Sequence, residues 1–231
     1  MRAASGPAPS RPRVAAVIPA RNESARISAT LAALARLPLD EMVVVDDASH
    51  DGTGHVARAA RARVIVFAEH RGKGAAMEAG WQATDAEVIL FADADLGSTA
   101  ERLWPLVETV LAGEADLAIA AFRAGGGGLG LATRTARWGI QKLTGFRAQA
   151  PLSGQRAIRR GVLGASGPRG GGFGAEVGMA IDCLRAGGRV VELPIPLHHR
   201  VTGRDLAGFL HRGRQWMAIT RALARRWRGG R

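Results

Sequence analysis

The chain contains a single cysteine, Cys183, among 231 residues, which excludes an internal disulfide framework and a cysteine-rich zinc site. A lone thiol fits a reducing compartment, and a cytoplasmic location is expected. Long apolar runs are also absent: no stretch reaches about 18 residues, so no membrane-spanning helix is predicted. Residues 1–13 lack the apolar segment of a signal peptide, and residues 1–12 are predicted to be disordered.

The net charge of +12 is typical of proteins that bind nucleic acids, but the distribution of the charges along the chain does not favour such a partner. Residues 1–13 carry three arginines, and residues 200–231 carry nine arginines and one aspartate. Between them, 20 basic and 19 acidic residues nearly cancel. The basicity therefore belongs to the two ends of the chain. No nucleic-acid partner is predicted, and the oligomeric state is left open.

Short apolar runs alternate with segments of helical period along the first half of the chain. The predicted strands cover residues 14–18, 42–45, 64–67, 88–92 and 117–122. The predicted helices cover residues 24–36, 51–62, 73–83 and 99–111, followed by 131–143 and 175–185, with a late strand at 190–193. This alternation predicts parallel βαβ units in a doubly wound α/β sheet. One domain over residues 13–204 is expected.

Four successive predicted strands end in polar residues, at 19–23, 46–49, 70–74 and 93–95. Ligands bind at the carboxyl ends of strands in such sheets, so these side chains are expected to form one site. Asp93 and Asp95 are two residues apart, which places them on the same face of a strand. Their oxygens suit Mg²⁺ or Mn²⁺ bridging to a diphosphate. The alternative, a helix-capping aspartate, explains one carboxylate but not both.

The next strand ends offer weaker signals. Asp46 or Asp47 is a candidate to accept hydrogen bonds from a nucleoside, whereas residues 51–53 fit loop and helix-cap chemistry. Lys73 lies between two glycines at the start of a predicted helix, where an anion is favoured. An ordinary basic turn explains the same residues.

Two later segments add candidates. Glu176 opens a predicted helix and is either a partner of the helix dipole or a site carboxylate, with the general-base role if the acceptor is a hydroxyl. His198, Arg200 and Arg204 form either a polar exit loop or a metal ligand with a phosphate clamp.

Residues 205–231 combine arginines with apolar residues at spacings near three and four. The apolar positions are Leu206, Phe209, Leu210, Trp216, Met217, Leu223 and Trp227. This pattern predicts a basic amphipathic helix. Two interpretations stay open: a helix lying on an anionic membrane, or a surface helix packed on the sheet with solvated arginines.

The motifs together resemble family 2 glycosyltransferases of the GT-A fold, and most closely their dolichyl-phosphate mannosyltransferase and polyprenyl-phosphate branch. The upstream motifs are Ile18-Pro-Ala-Arg-Asn-Glu23, Val44-Val-Asp-Asp-Ala-Ser-His-Asp-Gly-Thr53, Gly72-Lys-Gly74 and Phe91-Ala-Asp-Ala-Asp-Leu96. The downstream motifs are Leu152-Ser-Gly-Gln-Arg-Ala157, Gly172-Phe-Gly-Ala-Glu176, Glu192-Leu-Pro-Ile-Pro196 and Arg200-Val-Thr-Gly-Arg204.

The resemblance implies inverting transfer of a sugar from a UDP- or GDP-hexose, with Mg²⁺ or Mn²⁺ as cofactor. The implied donor-binding residues are Pro19, Ala20, Arg21, Glu23, Asp46, Asp47, Lys73, Asp93, Ala94 and Asp95. The implied acceptor or phosphate contacts are Gln155, Arg200 and Arg204. The implied catalytic residues are Asp95 and Glu176. Many relatives carry glutamine where this chain has Gly97, so a histidine, His198 or else His199, is the candidate for a third metal ligand beside Asp93 and Asp95.

The implied acceptor is a polyprenyl phosphate at the cytoplasmic face of the membrane, on which the chain would be peripheral. A small phosphorylated acceptor, as used by glucosyl-3-phosphoglycerate synthases, is the first alternative. A non-catalytic adaptor on the membrane surface is an alternative of another class. A dinucleotide-binding domain is not favoured, because Gly-x-Gly-x-x-Gly is absent after the first strand.

Overall fold

The computed structural model describes residues 11–121, 130–163, 167–168, 173–197 and 206–228. For residue 173 and residues 206–212, 214 and 215, the backbone alone is described. The described part forms a seven-stranded sheet with helices on both faces. The predicted α/β class with a mainly parallel sheet is therefore confirmed.

The strands are Val14–Ala20 (β1), Glu41–Asp46 (β2), Arg63–Val66 (β3), Val88–Phe91 (β4), Leu117–Ala121 (β5), Arg156–Arg159 (β6) and Val190–Pro194 (β7). The helices are Ser24–Leu34 (α1), Thr53–Ala59 (α2), Lys73–Gln82 (α3), Trp104–Leu111 (α4), Leu131–Thr144 (α5), Arg160–Leu163 (α6), Phe173–Arg185 (α7) and Leu206–Arg228 (α8). A 3₁₀ helix, Gly97–Leu103, precedes α4.

The strands lie in the order β3-β2-β1-β4-β6-β5-β7. Strand β6 runs antiparallel to both β4 and β5, whereas the other neighbours are parallel. Because β6 enters next to β4, the residues just before it reach the carboxyl end of β4. The antiparallel strand therefore brings a late segment of the chain to the edge where β1, β2 and β4 end.

Alternate residues of the central strands supply two separate cores. On β1, Ala15 and Val17 face a core completed by α3, α5, α7 and α8. Val14, Ala16 and Ile18 face the opposite core, which α1, α2 and α4 complete. Burial on both faces explains why the central strands are continuously apolar in sequence.

Three features differ from the sequence-based predictions. Strand β6 was not predicted, because Arg156 and Arg159 interrupt any apolar run. The helix predicted over 99–111 is a 3₁₀ helix followed by α4, with Pro105 in the first turn of α4, where a missing N–H has no cost. The N-cap of α2 is Gly52 rather than Asp51 or Thr53.

A helix, α8, lies where the C-terminal amphipathic helix is predicted, and its last three turns pack on α5 and α7. Ile219, Ala222 and Leu223 are buried there, while Arg226 forms an ion pair with Asp182 of α7. This part of α8 therefore matches the second of the two interpretations, a surface helix packed on the domain. The side chains of Leu206, Phe209 and Leu210 lie outside the described part. Among the described helices, none combines the length and the apolar character that crossing a bilayer demands.

Candidate active site

The loops after β1 and β2 are bound to each other by hydrogen bonds. The backbone N–H of Asn22 donates to Ser49 Oγ (2.9 Å), and that of Glu23 donates to Thr53 Oγ1 (2.8 Å). Asp51 accepts from the Thr53 hydroxyl and from the N–H of Ser24, and these hydrogen bonds hold the pKa of Asp51 below its ordinary range. The geometry therefore supports the loop and helix-cap role predicted from the sequence for residues 51–53.

The predicted donor-binding residues of β1 and β2 lie side by side at the carboxyl edge. Pro19 is in register with Val45, and Ala20 with Asp46. Arg21 follows β1 as an exposed residue, and Glu23 forms an exposed ion pair with Arg26. The first two strand ends are therefore adjacent, as the sequence predicted.

Both carboxylates at the end of β2 are buried and bind backbone N–H groups. Asp46 accepts from the N–H of Ser49 at 2.9 Å. Asp47 accepts from the N–H groups of Arg71 (2.7 Å) and Gly72 (2.9 Å), and one of its oxygens lies 2.7 Å from His70 Nδ1. Asp47 thus fixes the turn that precedes Lys73.

That turn depends on a glycine conformation. Gly72 has φ 89°, a left-handed value that side chains disfavour. It places Lys73 as the first residue of α3, with its side chain directed at the end of β4.

Lys73 joins two carboxylates that are 83 positions apart in the chain. Its Nζ lies 2.7 Å from Asp93 Oδ1 and 3.1 Å from Glu176 Oε1. Burial lowers the pKa of Lys73, but the charges of Asp93 and Glu176 outweigh burial, so the pKa is raised above its ordinary value. Lys73 is therefore a permanent cation at neutral pH.

Glu176 is the most enclosed member of this group. Its side chain has 0% exposure, and neither carboxylate oxygen has a partner in hydrogen-bonding geometry among the described residues. The Lys73 ammonium, 3.1 Å away, supplies its nearest compensating charge. A buried carboxylate without hydrogen bonds to its oxygens is costly, which is characteristic of functional sites.

The segment before β6 completes the cluster. Gln155 Nε2 donates to Asp93 Oδ2 at 2.5 Å. At Gly154, a Cβ atom would lie 2.5 Å from Lys73 Nζ and 2.9 Å from Asp93 Oδ1, so only glycine leaves room for this ion pair. We call Lys73, Asp93, Gln155 and Glu176 the charge cluster. The structure brings together four residues that the sequence assigned to donor, acceptor and catalytic roles.

Arg156 is a part of the site that sequence reasoning did not single out. Its guanidinium is fully buried and donates to the backbone oxygens of Ser153 and Glu176, at 2.8 Å for Glu176. Burial lowers the pKa of Arg156 to about 10, against the opposing charge of Glu176. Arg156 lies within the motif 152–157, which carries the family resemblance. Membership of that motif is the sequence signal that could have identified it.

Asp93 and Asp95 lie beyond β4, in a loop and a turn, so the alternation of a strand does not govern their orientation. The turn is fixed instead by Thr30 of α1. The Thr30 hydroxyl donates to the backbone oxygen of Ala94 (2.8 Å) and accepts from the N–H of Gly97 (2.9 Å).

No group of three or more His, Cys, Asp or Glu side chains within the described ranges is arranged to hold a metal ion. Magnesium in nucleotide sites needs only one or two protein carboxylates, because phosphate oxygens supply further ligands. Asp93 and Asp95 fit that donor set. His198, Arg200 and Arg204, predicted as metal ligand and phosphate clamp, lie outside the described residues.

Several solved structures of one enzyme share this fold. Glucosyl-3-phosphoglycerate synthase from Mycobacterium tuberculosis, in complex with Mg²⁺ and uridine diphosphate, matches with a TM-score of 0.79 and 27% identity over 93% of this chain and 79% of that one. Its complex with Mn²⁺, uridine-diphosphate-glucose and phosphoglyceric acid matches with a TM-score of 0.74. Fold and site thus define a GT-A glycosyltransferase.

The family model described as glycosyl transferase family 2 matches residues 15–165. The chain belongs to glycosyl transferase family 2. Undecaprenyl-phosphate mannosyltransferase from Micrococcus luteus is 32% identical over 94% of this chain and 97% of that protein. The M. tuberculosis synthase is 30% identical to this chain, and the matched part covers 73% of this chain and 60% of the synthase. The predicted family and its polyprenyl-phosphate branch are therefore confirmed. The prediction of a glycosyltransferase that uses a nucleotide-sugar is confirmed as well.

Proposed function

We propose that this enzyme moves a hexose from UDP- or GDP-hexose to a polyprenyl phosphate, with inversion at the anomeric carbon. The similarity to undecaprenyl-phosphate mannosyltransferase extends over nearly the full length of both chains and supports this acceptor class. The cytoplasmic face of the membrane remains the predicted location.

The structural observation that carries the proposal is the enclosure of Glu176. A general base must reach the hydroxyl that it deprotonates. Glu176 has 0% exposure and is bound to Lys73, so it is placed to hold a cation rather than to take a proton from an acceptor. A phosphate acceptor needs no base, because its attacking oxygen is already ionised near neutral pH. The geometry therefore favours a phosphate over a hydroxyl.

The donor is assigned to the carboxyl edge of the sheet, with Asp46 or Asp47 near the nucleoside and Asp93 with Asp95 near the diphosphate. A divalent ion held by Asp93 and Asp95 would neutralise negative charge on the leaving nucleoside diphosphate. Lys73 contributes a fixed positive charge at the same place, where it stabilises developing charge without reorganisation. Gln155 orients Asp93 by donating to its second oxygen.

A small phosphorylated acceptor is the second candidate. The match to complexes of the M. tuberculosis synthase with phosphoglyceric acid supports it. Both candidate acceptors carry a phosphate, but 3-phosphoglycerate also offers a hydroxyl as the attacking group, for which the enclosed Glu176 is not placed as a base. A non-catalytic adaptor is not supported, because the chain is a glycosyltransferase.

The decisive experiment is a competition between acceptors. Purified protein with Mn²⁺ receives labelled GDP-mannose or UDP-glucose, with undecaprenyl phosphate and 3-phosphoglycerate both present. Label in the organic phase supports the proposal. Label confined to a water-soluble phosphorylated product overturns the lipid acceptor in favour of the second candidate.

A further inference from the structure

Large hydrophobic side chains that are exposed concentrate on two helices. Five of the six in the described part of the chain lie on α5 and α8, and the sixth is Val66 on β3. We call these five the aromatic face: Leu131, Trp138, Trp216, Met217 and Trp227. Scattered apolar residues on a surface need no explanation, but a group on two adjacent elements marks an interaction site.

The two helices form one surface. Trp138 of α5 stacks on Trp227 of α8, with ring centroids 6.2 Å apart and planes 9° from parallel. Trp216 Nε1 donates to Thr135 Oγ1 of α5 at 3.2 Å. These contacts do not cover the rings, since Trp138 is 58% and Trp227 46% exposed. The stack thus fixes a pair of indoles that still faces outward.

The two helices that bear the aromatic face carry one sign of charge. Neither α5 nor α8 contains an aspartate or a glutamate, and together they contain nine basic residues. Arg226 is used internally, in its ion pair with Asp182. The exposed basic residues with described side chains are Arg134, Arg137, Lys142, Arg221, Arg225 and Arg228.

A cavity of about 400 Å³ adjoins this surface and is lined in part by Arg137, Gln141 and Arg147. Arg137 is the chain neighbour of Trp138. Guanidinium and amide groups suit phosphate oxygens, so the polar part of the surface matches a phosphorylated headgroup.

We propose that the aromatic face and its basic rim dock the enzyme on an anionic lipid bilayer. Indole rings favour the interface between water and lipid, while arginines are attracted by anionic headgroups. Packing within the protein explains why Ile219, Ala222 and Leu223 are apolar. It does not explain why exposed positions of the aromatic face carry tryptophan. Docking deepens the proposed function, because it would hold the catalytic domain where a lipid phosphate is found.

The test measures partition of the full chain to vesicles by sedimentation. Vesicles of phosphatidylcholine alone are compared with an equimolar mixture of phosphatidylcholine and phosphatidylglycerol, at low and high salt. Binding to the mixed vesicles that weakens with salt is expected. Equal partition to both kinds of vesicle, or none to either, overturns the proposal.

Two pairs of variants locate the surface. Trp138→Ser with Trp227→Ser is expected to lower partition at least about tenfold, since two interfacial indoles are lost, whereas Val66→Ser is expected to bind like the wild type. Wild-type partition by the double tryptophan variant overturns the proposal.

Arg221→Gln with Arg225→Gln is expected to lower partition about 25-fold, since each arginine near an anionic surface is worth about a factor of five. Arg36→Gln with Arg58→Gln removes the same charge from a distant surface and is expected to change little. Equal losses in the two double variants would overturn the assigned location. Circular dichroism melts show whether each variant folds.

Tryptophan fluorescence gives a second readout that does not need the serine variants. Mixed vesicles should shift the wild-type emission to shorter wavelength, and Trp138→Phe with Trp227→Phe should reduce that shift. An unchanged shift in this conservative variant counts against docking through the stack.

Docking and the proposed acceptor can fail separately. Vesicle binding without transfer to a polyprenyl phosphate would leave the docking surface in place and remove the acceptor. Transfer to a polyprenyl phosphate in detergent, without vesicle binding by the wild type, would do the reverse.

Discussion

Replacing Lys73 with methionine tests whether the charge cluster depends on its ammonium. Lys73→Met keeps the length and most of the volume of the side chain but leaves Glu176, which has 0% exposure, without its ion-pair partner. Removing one partner of a buried ion pair costs about 3–5 kcal/mol. The side chain of Lys73 is 29% exposed, so we expect the lower end, about 3 kcal/mol.

Urea denaturation followed by circular dichroism measures this loss, provided that the slope with denaturant stays constant. The chain offers a matched control, since its other lysine, Lys142, is exposed on α5. Lys142→Met should change the free energy of unfolding by less than about 0.5 kcal/mol. Adding Glu176→Gln to Lys73→Met should recover about 1–3 kcal/mol, because the uncompensated charge is then removed.

The same variant has a predicted pH dependence. The pKa of folded Lys73 is raised above the ordinary value of 10.5, so its stabilising contribution is complete below 10.5 and declines as the pH rises beyond it. Lys73 itself should therefore add no pH dependence near neutral pH to the difference in unfolding free energy between wild type and Lys73→Met. Equal stabilities of Lys73→Met and Lys142→Met at neutral pH would refute the ion-pair argument.

Three further substitutions or modifications probe the surroundings of the cluster. Gly154→Ala should lower both the rate of sugar transfer and the free energy of unfolding, because its Cβ would displace the Lys73 ammonium from its ion pairs with Asp93 and Glu176; a normal rate would contradict the close packing. Thr30→Val should cost about 1–3 kcal/mol in urea denaturation by leaving the buried oxygen of Ala94 and the partly buried N–H of Gly97 without their partner, and Thr109→Val, which loses one exposed hydrogen bond, serves as its control. Cys183 should resist iodoacetamide at pH 8 until the protein unfolds, since burial raises the pKa of its thiol to about 12, and rapid labelling of the native protein would contradict this.

Local sequence was enough to predict the elements whose pattern is simple. The central strands β1, β2 and β4 are buried on both faces, so a continuous apolar run identifies them without tertiary information. The polar residues at their ends followed from the general rule for ligand sites in such sheets. Lys73, Asp93 and Glu176 could be singled out on these grounds and on family resemblance before their contacts were known.

Strand β6 shows what local sequence could not supply. Arginine is seldom fully buried, so Arg156 argues against a core strand in any pattern-based prediction. Its burial is possible because the backbone oxygens of Ser153 and Glu176 accept from the guanidinium, and Glu176 lies 20 residues further along the chain. The 3₁₀ helix before α4 likewise packs against α1, a contact that helical period alone does not predict.

The most direct measurement is sugar transfer by the wild type beside Asp93→Asn, with label from the nucleotide-sugar counted in the polyprenyl phosphate product. The exposed Asp85 provides the matched control, Asp85→Asn. We predict lipid-linked label with the wild type and with Asp85→Asn, and a loss of about 100-fold or more with Asp93→Asn, the range for removing one electrostatic group from a reaction site. Transfer by Asp93→Asn at the wild-type rate would contradict the assignment of the charge cluster as the active site.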